Sequence, residues 1–205
     1  MTPISFTPVL HIQDLRQALR DYSGFAQFVD FHGRSFLNLI LLEKGNPRSE
    51  EDLLEDVRFL VESGTDLNAG EGRTEQLPLQ AALCFHRLKI ARFLLGQGAN
   101  PNAKNRQAEN AAFTAAFIAG RLNDMSIFTD VVDAGGDATA LDKWGYSTLD
   151  RIMEPVLQGR ESLSRPFKKI VKLLRDLGTP TPETEKFDIK EYHANRNTLG
   201  KLFGR

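Results

Sequence analysis

One phrase recurs along this chain and narrows its architecture more than any other feature: the end of an apolar helix, a glycine, then a short polar turn. VRFLVESGTDLNA (57–69), IARFLLGQGANPNA (90–103) and FTDVVDAGGDATA (128–140) align on their glycines, and KKIVKLLRDLGTP (168–180) shares the front half. Gly64 and Gly98 lie 34 positions apart, Gly98 and Gly135 lie 37 apart, and Gly135 and Gly178 lie 43 apart. The first spacing is close to a period of about 33, and the wider ones read as the same unit carrying insertions. A helix pair of this size cannot bury its apolar face alone, so repetition predicts stacking of each unit on its neighbours.

Complementary starts sit between these ends: DFHGRSFLNLI (30–40), LPLQAAL (77–83), NRQAENAAFTAAF (105–117) and DKWGYSTLDRI (142–152). Each begins as a turn and runs into a short apolar helix. Small Ala81, Ala82, Ala115 and Ala116 allow close approach of first helices, while Phe93-Leu94-Leu95, Val131-Val132 and Ile170-Val171-Leu173-Leu174 form apolar stripes at helical spacing.

The combined pattern resembles the ankyrin repeat. Pro78-Leu79-Gln80-Ala81-Ala82 stands where that family has P-L-H-x-A, and Gly98-Ala99-Asn100-Pro101-Asn102-Ala103 matches its G-A-D-x-N-A. Asp142-Lys143-Trp144-Gly145-Tyr146-Ser147-Thr148-Leu149 and Asp30-Phe31-His32-Gly33-Arg34-Ser35 match the opening turn, while the third repeat is degenerate, with Ala108 for the turn glycine and Ala111-Ala112 for Pro-Leu. The resemblance implies an all-α solenoid of stacked helix-turn-helix units with projecting β-hairpin-like turns, over residues 30–180, in four repeats near 30–68, 69–104, 105–141 and 142–180. Residues 1–29 are expected to supply a helical N-cap, with Asp14 as N-cap residue and Leu15, Leu19 and Tyr22 on one face. After Gly178 two X-Pro steps, Thr179-Pro180 and Thr181-Pro182, lead into a C-terminal extension, residues 181–205, for which fraying and folding back as a cap are both open, with Phe187, Tyr192, Leu199 and Phe203 as handles for docking.

By family register, extra residues fall between the two helices of three repeats: GNPRSEEDLLE (45–55), the stretch around Gly120-Arg121-Leu122-Asn123-Asp124, and EPVLQGRESLSRP (154–166). Specialised contact loops and tolerated surface slack are both open for them.

Length and composition agree with a globular chain of one or two domains, 205 residues of which 41 % are hydrophobic. Its 26 basic and 27 acidic residues nearly cancel, which argues against a global field for nucleic acid or an anionic membrane. MTPISFTPVLHIQDLRQ lacks a basic then apolar signal pattern, and no apolar run approaches the roughly 18 residues of a membrane span. With one cysteine, Cys84, neither an internal disulfide nor a cysteine zinc cluster is expected, and a cytoplasmic location follows most simply.

Reactive constellations are not found. No G-x-S-x-G, H-E-x-x-H, Walker-type loop or strand-linked G-x-G-x-x-G occurs, and Gly96-Gln97-Gly98 follows a helix instead of opening one. His11, His32, His86 and His193 are scattered singly, and Cys84 lies between Leu83 and Phe85, which would not lower its pKa. Glu50-Glu51-Asp52 and Glu55-Asp56 are better read as the acidic first turn of the coming helix than as acid/base pairs. Lys168, Lys169, Lys172 and Arg175 read as a solvated helix face. No catalytic residue, metal ligand or cofactor is expected.

The surface such repeats use for recognition remains. In family register the tip positions are Phe31 and His32, Arg73 and Thr74, Arg106 and Gln107, Lys143 and Trp144, followed by Arg34, Gln76, Glu109 and Tyr146; first-helix positions are Leu42 and Glu43, Cys84 and Phe85, Phe117 and Ile118. Aromatic and arginine side chains recur there, the types enriched at interface centres. A one-residue slip in register would make Phe85, Phe117 and Ile118 core residues. The expectation is a non-enzymatic module, monomeric alone, that binds a protein partner across its concave face and tips. Its concrete forms, by analogy, are a dedicated inhibitor such as a toxin's immunity protein, or a bacterial effector that engages a host protein. An enzyme or nucleic-acid binder hidden in the terminal segments is the competing class, against which stand their shortness and the sparse Lys190, Arg196, Lys201 and Arg205.

Overall fold

A computed structural model of the chain describes residues 26–30, 33–42, 49–70, 76–157 and 165–179. These hold eight helices, and the chain divides into two compact units, Met1–Arg106 and Gln107–Arg205. The division falls beside the junction expected between the second and third repeats. The expected capping helix near residue 14 and the 181–205 extension lie outside the described residues.

In the first unit, α1 (Phe36–Leu42), α2 (Glu50–Glu62), α3 (Pro78–Cys84) and α4 (Leu88–Gly96) pack α1 on α3, α2 on α4 and α3 on α4. First helix meets first helix and second meets second, because the apolar residues recur on matching faces. Leu53, Val57 and Leu60 of α2 follow the i, i+4, i+7 rule, and with Ile90, Ala91 and Leu94 of α4 they are fully buried. Each buried Leu or Ile contributes about 1.5–3 kcal/mol by leaving water.

Local chemistry starts these helices. Ser49 Oγ accepts the Asp52 amide at 3.1 Å, and Glu50, Glu51 and Asp52 crowd the first turn as the sequence predicts. Glu50 also reaches the next helix pair. Its Oε1 accepts the Lys89 amide at 2.8 Å and the Ile90 amide at 3.2 Å, capping α4, whose own Arg87 provides no side-chain cap. Alongside, Lys89 Nζ donates to Glu51; this bond holds the Glu51 carboxyl below its ordinary value and raises Lys89. Both side chains are exposed, so the pair itself adds little.

In the second unit, α5 (Ala111–Leu122) packs against α6 (Ser126–Asp133), α7 (Thr148–Leu157) and α8 (Arg165–Asp176), and α7 packs on α8. The stretch expected to loop at Gly120-Arg121-Leu122 is instead helical, and only Asn123, in the left-handed conformation, ends α5. A close approach explains the glycine. A Cβ at Gly120 would lie 2.4 Å from the Phe167 ring, so α8 nests where α5 has no side chain. Around this point Phe117 stacks on Phe113 at 6.1 Å and meets Phe167 edge-on at 6.5 Å. The other insertions are also partly helical: 45–55 contains the start of α2, and 154–157 continue α7.

All four ruler glycines end a helix identically. Gly64, Gly98, Gly135 and Gly178 have φ between 80 and 91, and each donates to the carbonyl three residues back, Gly98 to Leu95 at 3.0 Å for example. The following amide reaches five residues back, as Ala99 does to Leu94 at 3.0 Å and Thr179 to Leu174 at 2.9 Å. This is a Schellman cap, which satisfies carbonyls a helix end leaves open and requires a left-handed residue that glycine adopts without strain. Within each unit a hydroxyl then ties the cap to the preceding segment: Thr65 Oγ1 donates to the Ala26 carbonyl at 2.9 Å, and Thr179 Oγ1 to that of Ala138 at 3.0 Å.

The turns that open the repeats form no strand among the described residues. Two isolated antiparallel bridges, Val29 with Ser35 and Leu141 with Ser147, close the first and fourth of them.

Candidate functional site

The fourth tip, residues 141–147, concentrates the expected partner-facing chemistry. Asp142 is its internal strut. Its side chain is fully buried, and Oδ1 accepts the amides of Trp144 at 2.9 Å and Tyr146 at 3.0 Å. The Asp142 amide donates to the Tyr146 carbonyl at 2.9 Å, and Gly145, at φ 82, donates to the Asp142 carbonyl at 3.0 Å. An aspartate bonding its own following backbone is the chemistry that sets tight turns, and glycine accepts the left-handed step within them.

The second oxygen, Oδ2, faces Arg151 of α7 and accepts from both its Nε, at 3.1 Å, and its Nη2. This arginine is 17 % exposed, and its guanidinium lies 5.3 Å from the Trp144 ring centroid and 5.1 Å from that of Tyr146. Lys143 Nζ sits 4.3 Å from the Trp144 centroid. A planar guanidinium both forks onto a carboxylate and stacks on aromatic faces, so one residue holds the turn and supports its rings. Trp144, at 38 % exposure, and neighbouring Leu141 are nevertheless among the exposed large apolar residues.

Beneath the tip, Ser147 caps α7 reciprocally. Its Oγ accepts the Asp150 amide at 3.1 Å, while Asp150 Oδ2 accepts the Ser147 amide at 2.6 Å and hydroxyl at 2.8 Å. The Lys143 amide also donates to the Gln107 carbonyl at 2.8 Å, tying the fourth tip to the third.

The remaining candidates are spread. Arg34 is spent on Asp30, with Nε to Oδ2 at 2.7 Å. Gln76 is half-buried and its Nε2 donates to Cys84 Sγ at 3.1 Å. Phe85 is half-buried at the C-cap of α3, Arg106 is exposed, and Gln107 and Glu109 are half-buried. Phe117 belongs to the aromatic cluster already described. Its neighbour Ile118, read as a surface first-helix position, is buried in the core, since the face of α5 that meets α6 and α8 is broad. Phe31, His32 and Arg73 lie outside the described residues, as do Thr74 and Glu43. Arg151, absent from the expected set, proves central; its position nine residues from Asp142 carries no motif, and only its place on the first turns of α7 could have pointed to it.

Among the described residues no three His, Cys, Asp or Glu side chains converge as metal ligands, and no helix is long and apolar enough to cross a membrane. Cys84 is a half-buried free thiol.

Comparison with known families places this geometry in context. Residues 75–106 match the family model of the ankyrin repeat, with which the helical architecture of the chain is consistent. No curated protein matches the chain. Ankyrin repeats are protein–protein interaction modules, typically without enzymatic activity.

Proposed function

We propose that this chain is a non-enzymatic recognition module that engages a protein partner through its repeat tips, with Trp144 as the anchor of the fourth. The observation that supports this most is a large exposed indole on a turn whose backbone Asp142 fixes and beside which Asp142 also holds Arg151. A preformed aromatic surface loses little freedom on binding, so more of its buried area becomes affinity. Tyr146, whose ring lies 5.1 Å from the Arg151 guanidinium, joins Trp144 in the contact. The other tip residues, Arg34, Gln76, Arg106, Gln107 and Glu109, extend the contact, with Phe31, His32, Arg73, Phe85 and Phe117 completing the surface that the family register assigns. A dedicated inhibitor of the immunity-protein kind, acting in the cytoplasm, is the form we favour by analogy with uses of such repeats; a bacterial effector binding a host protein is the alternative.

Trp144 is the only tryptophan in the chain, so it reports on itself. A photo-reactive phenylalanine analogue placed at 144 should cross-link one protein from the source cell, and the same analogue at exposed Asp133 should not. Equal labelling from both positions would reject the tip as the site.

A further inference from the structure

We propose that a docking groove lies between α7 and α8 and that its occupant is this chain's own segment 181–189, TPETEKFDI. Lys168, Val171, Lys172, Arg175 and Asp176 of α8, with Met153 of α7, line a groove of about 290 Å³. Val171 is buried and Met153 half-buried, which makes an apolar floor, and exposed Lys168, Lys172 and Arg175 outweigh exposed Asp176 in a net basic rim. None of these three cations forms an ion pair among the described residues. Leu177, at the exit of α8, is a further exposed apolar residue.

The segment after α8 is the complement of this groove in charge and in apolar content. Glu183, Glu185 and Asp188 outweigh Lys186, and Phe187 and Ile189 supply apolar side chains between and beyond them. Reach is ample. The eight residues from Thr179 to Phe187 extend to about 26 Å, while Lys168 to Asp176 rise only about 12 Å along the helix. Individually such exposed pairs are weak and salt-screened. Attachment supplies the rest, since a short tether holds the segment at an effective concentration on the order of millimolar. A segment seated there covers the apolar floor and neutralises the rim.

Zero-length carbodiimide cross-linking of the full chain, read by peptide mass spectrometry, tests this directly. Amide links from Lys168 or Lys172 to Glu183, Glu185 or Asp188 are expected within one copy, falling several-fold at about 0.5 M salt. Lys168→Glu with Lys172→Glu should abolish them, and adding Glu183→Lys with Glu185→Lys should bring links back with the two partners exchanged. Circular dichroism checks that each variant is folded. Three results would overturn the proposal: no link between the segment and α8, links joining isotopically distinct copies when labelled and unlabelled protein are mixed, or links insensitive to charge reversal.

Discussion

The first and fourth tips are built on one plan and finished differently. In each, an aspartate accepts the amide four residues on, Arg34 to Asp30 Oδ1 at 2.8 Å and Tyr146 to Asp142 Oδ1 at 3.0 Å. In each the aspartate amide donates back across the turn at 2.9 Å, a glycine at φ 82 lies between, and an antiparallel bridge closes the base. The arginine that neutralises the aspartate differs. At the first tip it is Arg34, inside the turn and 37 % exposed; at the fourth that position is Tyr146, and the arginine comes from α7. Moving the arginine into the helix frees a turn position for an aromatic ring, and the guanidinium then serves two rings as well as the carboxylate. The same backbone device is closed by its own arginine at one tip and presents an exposed indole beside a helix-borne arginine at the other.

The largest effect should separate the two aspartates. Asp142→Ala removes the carboxylate that accepts two backbone amides and leaves a mostly buried arginine unpaired, so it should cost about 3 kcal/mol in denaturant unfolding. Asp30→Ala leaves Arg34 free to turn to solvent and should cost about 1–2 kcal/mol. Equal losses would break the distinction between a buried pair and one whose arginine is 37 % exposed.

Next come the turn residues. Ala108 stands where Gly33 and Gly145 stand, and it adopts φ 61, a left-handed conformation that L-residues avoid. Ala108→Gly should therefore stabilise by up to about 1 kcal/mol, and Gly145→Ala should destabilise by about the same, in thermal or denaturant melts. A destabilising Ala108→Gly would remove the third turn from the common plan. Smaller still is the contrast in caps. Ser147→Ala breaks a reciprocal box and should cost about 1–2 kcal/mol, while Ser35→Ala should cost about 0.5–1, because Asn38 spends its amide on Ala69 and Gln76 carbonyls instead of returning the bond.

What the sequence foretold and what it hid divide along the same physical line. Gly64, Gly98, Gly135 and Gly178 were legible because a left-handed helix end is a local demand that one residue type meets best. The degenerate turn at Ala108 was legible from register alone, and the acidic start of α2 from the helix dipole. Hidden features depend on contacts distant in sequence. Gly120 looked like a loop signal, yet its role is to admit Phe167, 47 positions away. Glu50 looked like a first-turn acid for its own helix, and it also caps α4. At the site, Trp144 and Tyr146 stood out as residue types flanking Gly145, whereas Arg151 is recognisable only once α7 carries it back over the turn.

On the proposed function, the fourth tip presents Trp144 to a partner on a scaffold that does not need it for stability. Titration calorimetry of the cross-linked partner against wild-type chain and Trp144→Ala, with melting curves for both, tests it most directly. We expect affinity to fall at least tenfold, about 1.4 kcal/mol, with the melting temperature unchanged to within about 2 °C. Unchanged affinity, or an affinity loss matched by a collapse in melting temperature, would contradict the account.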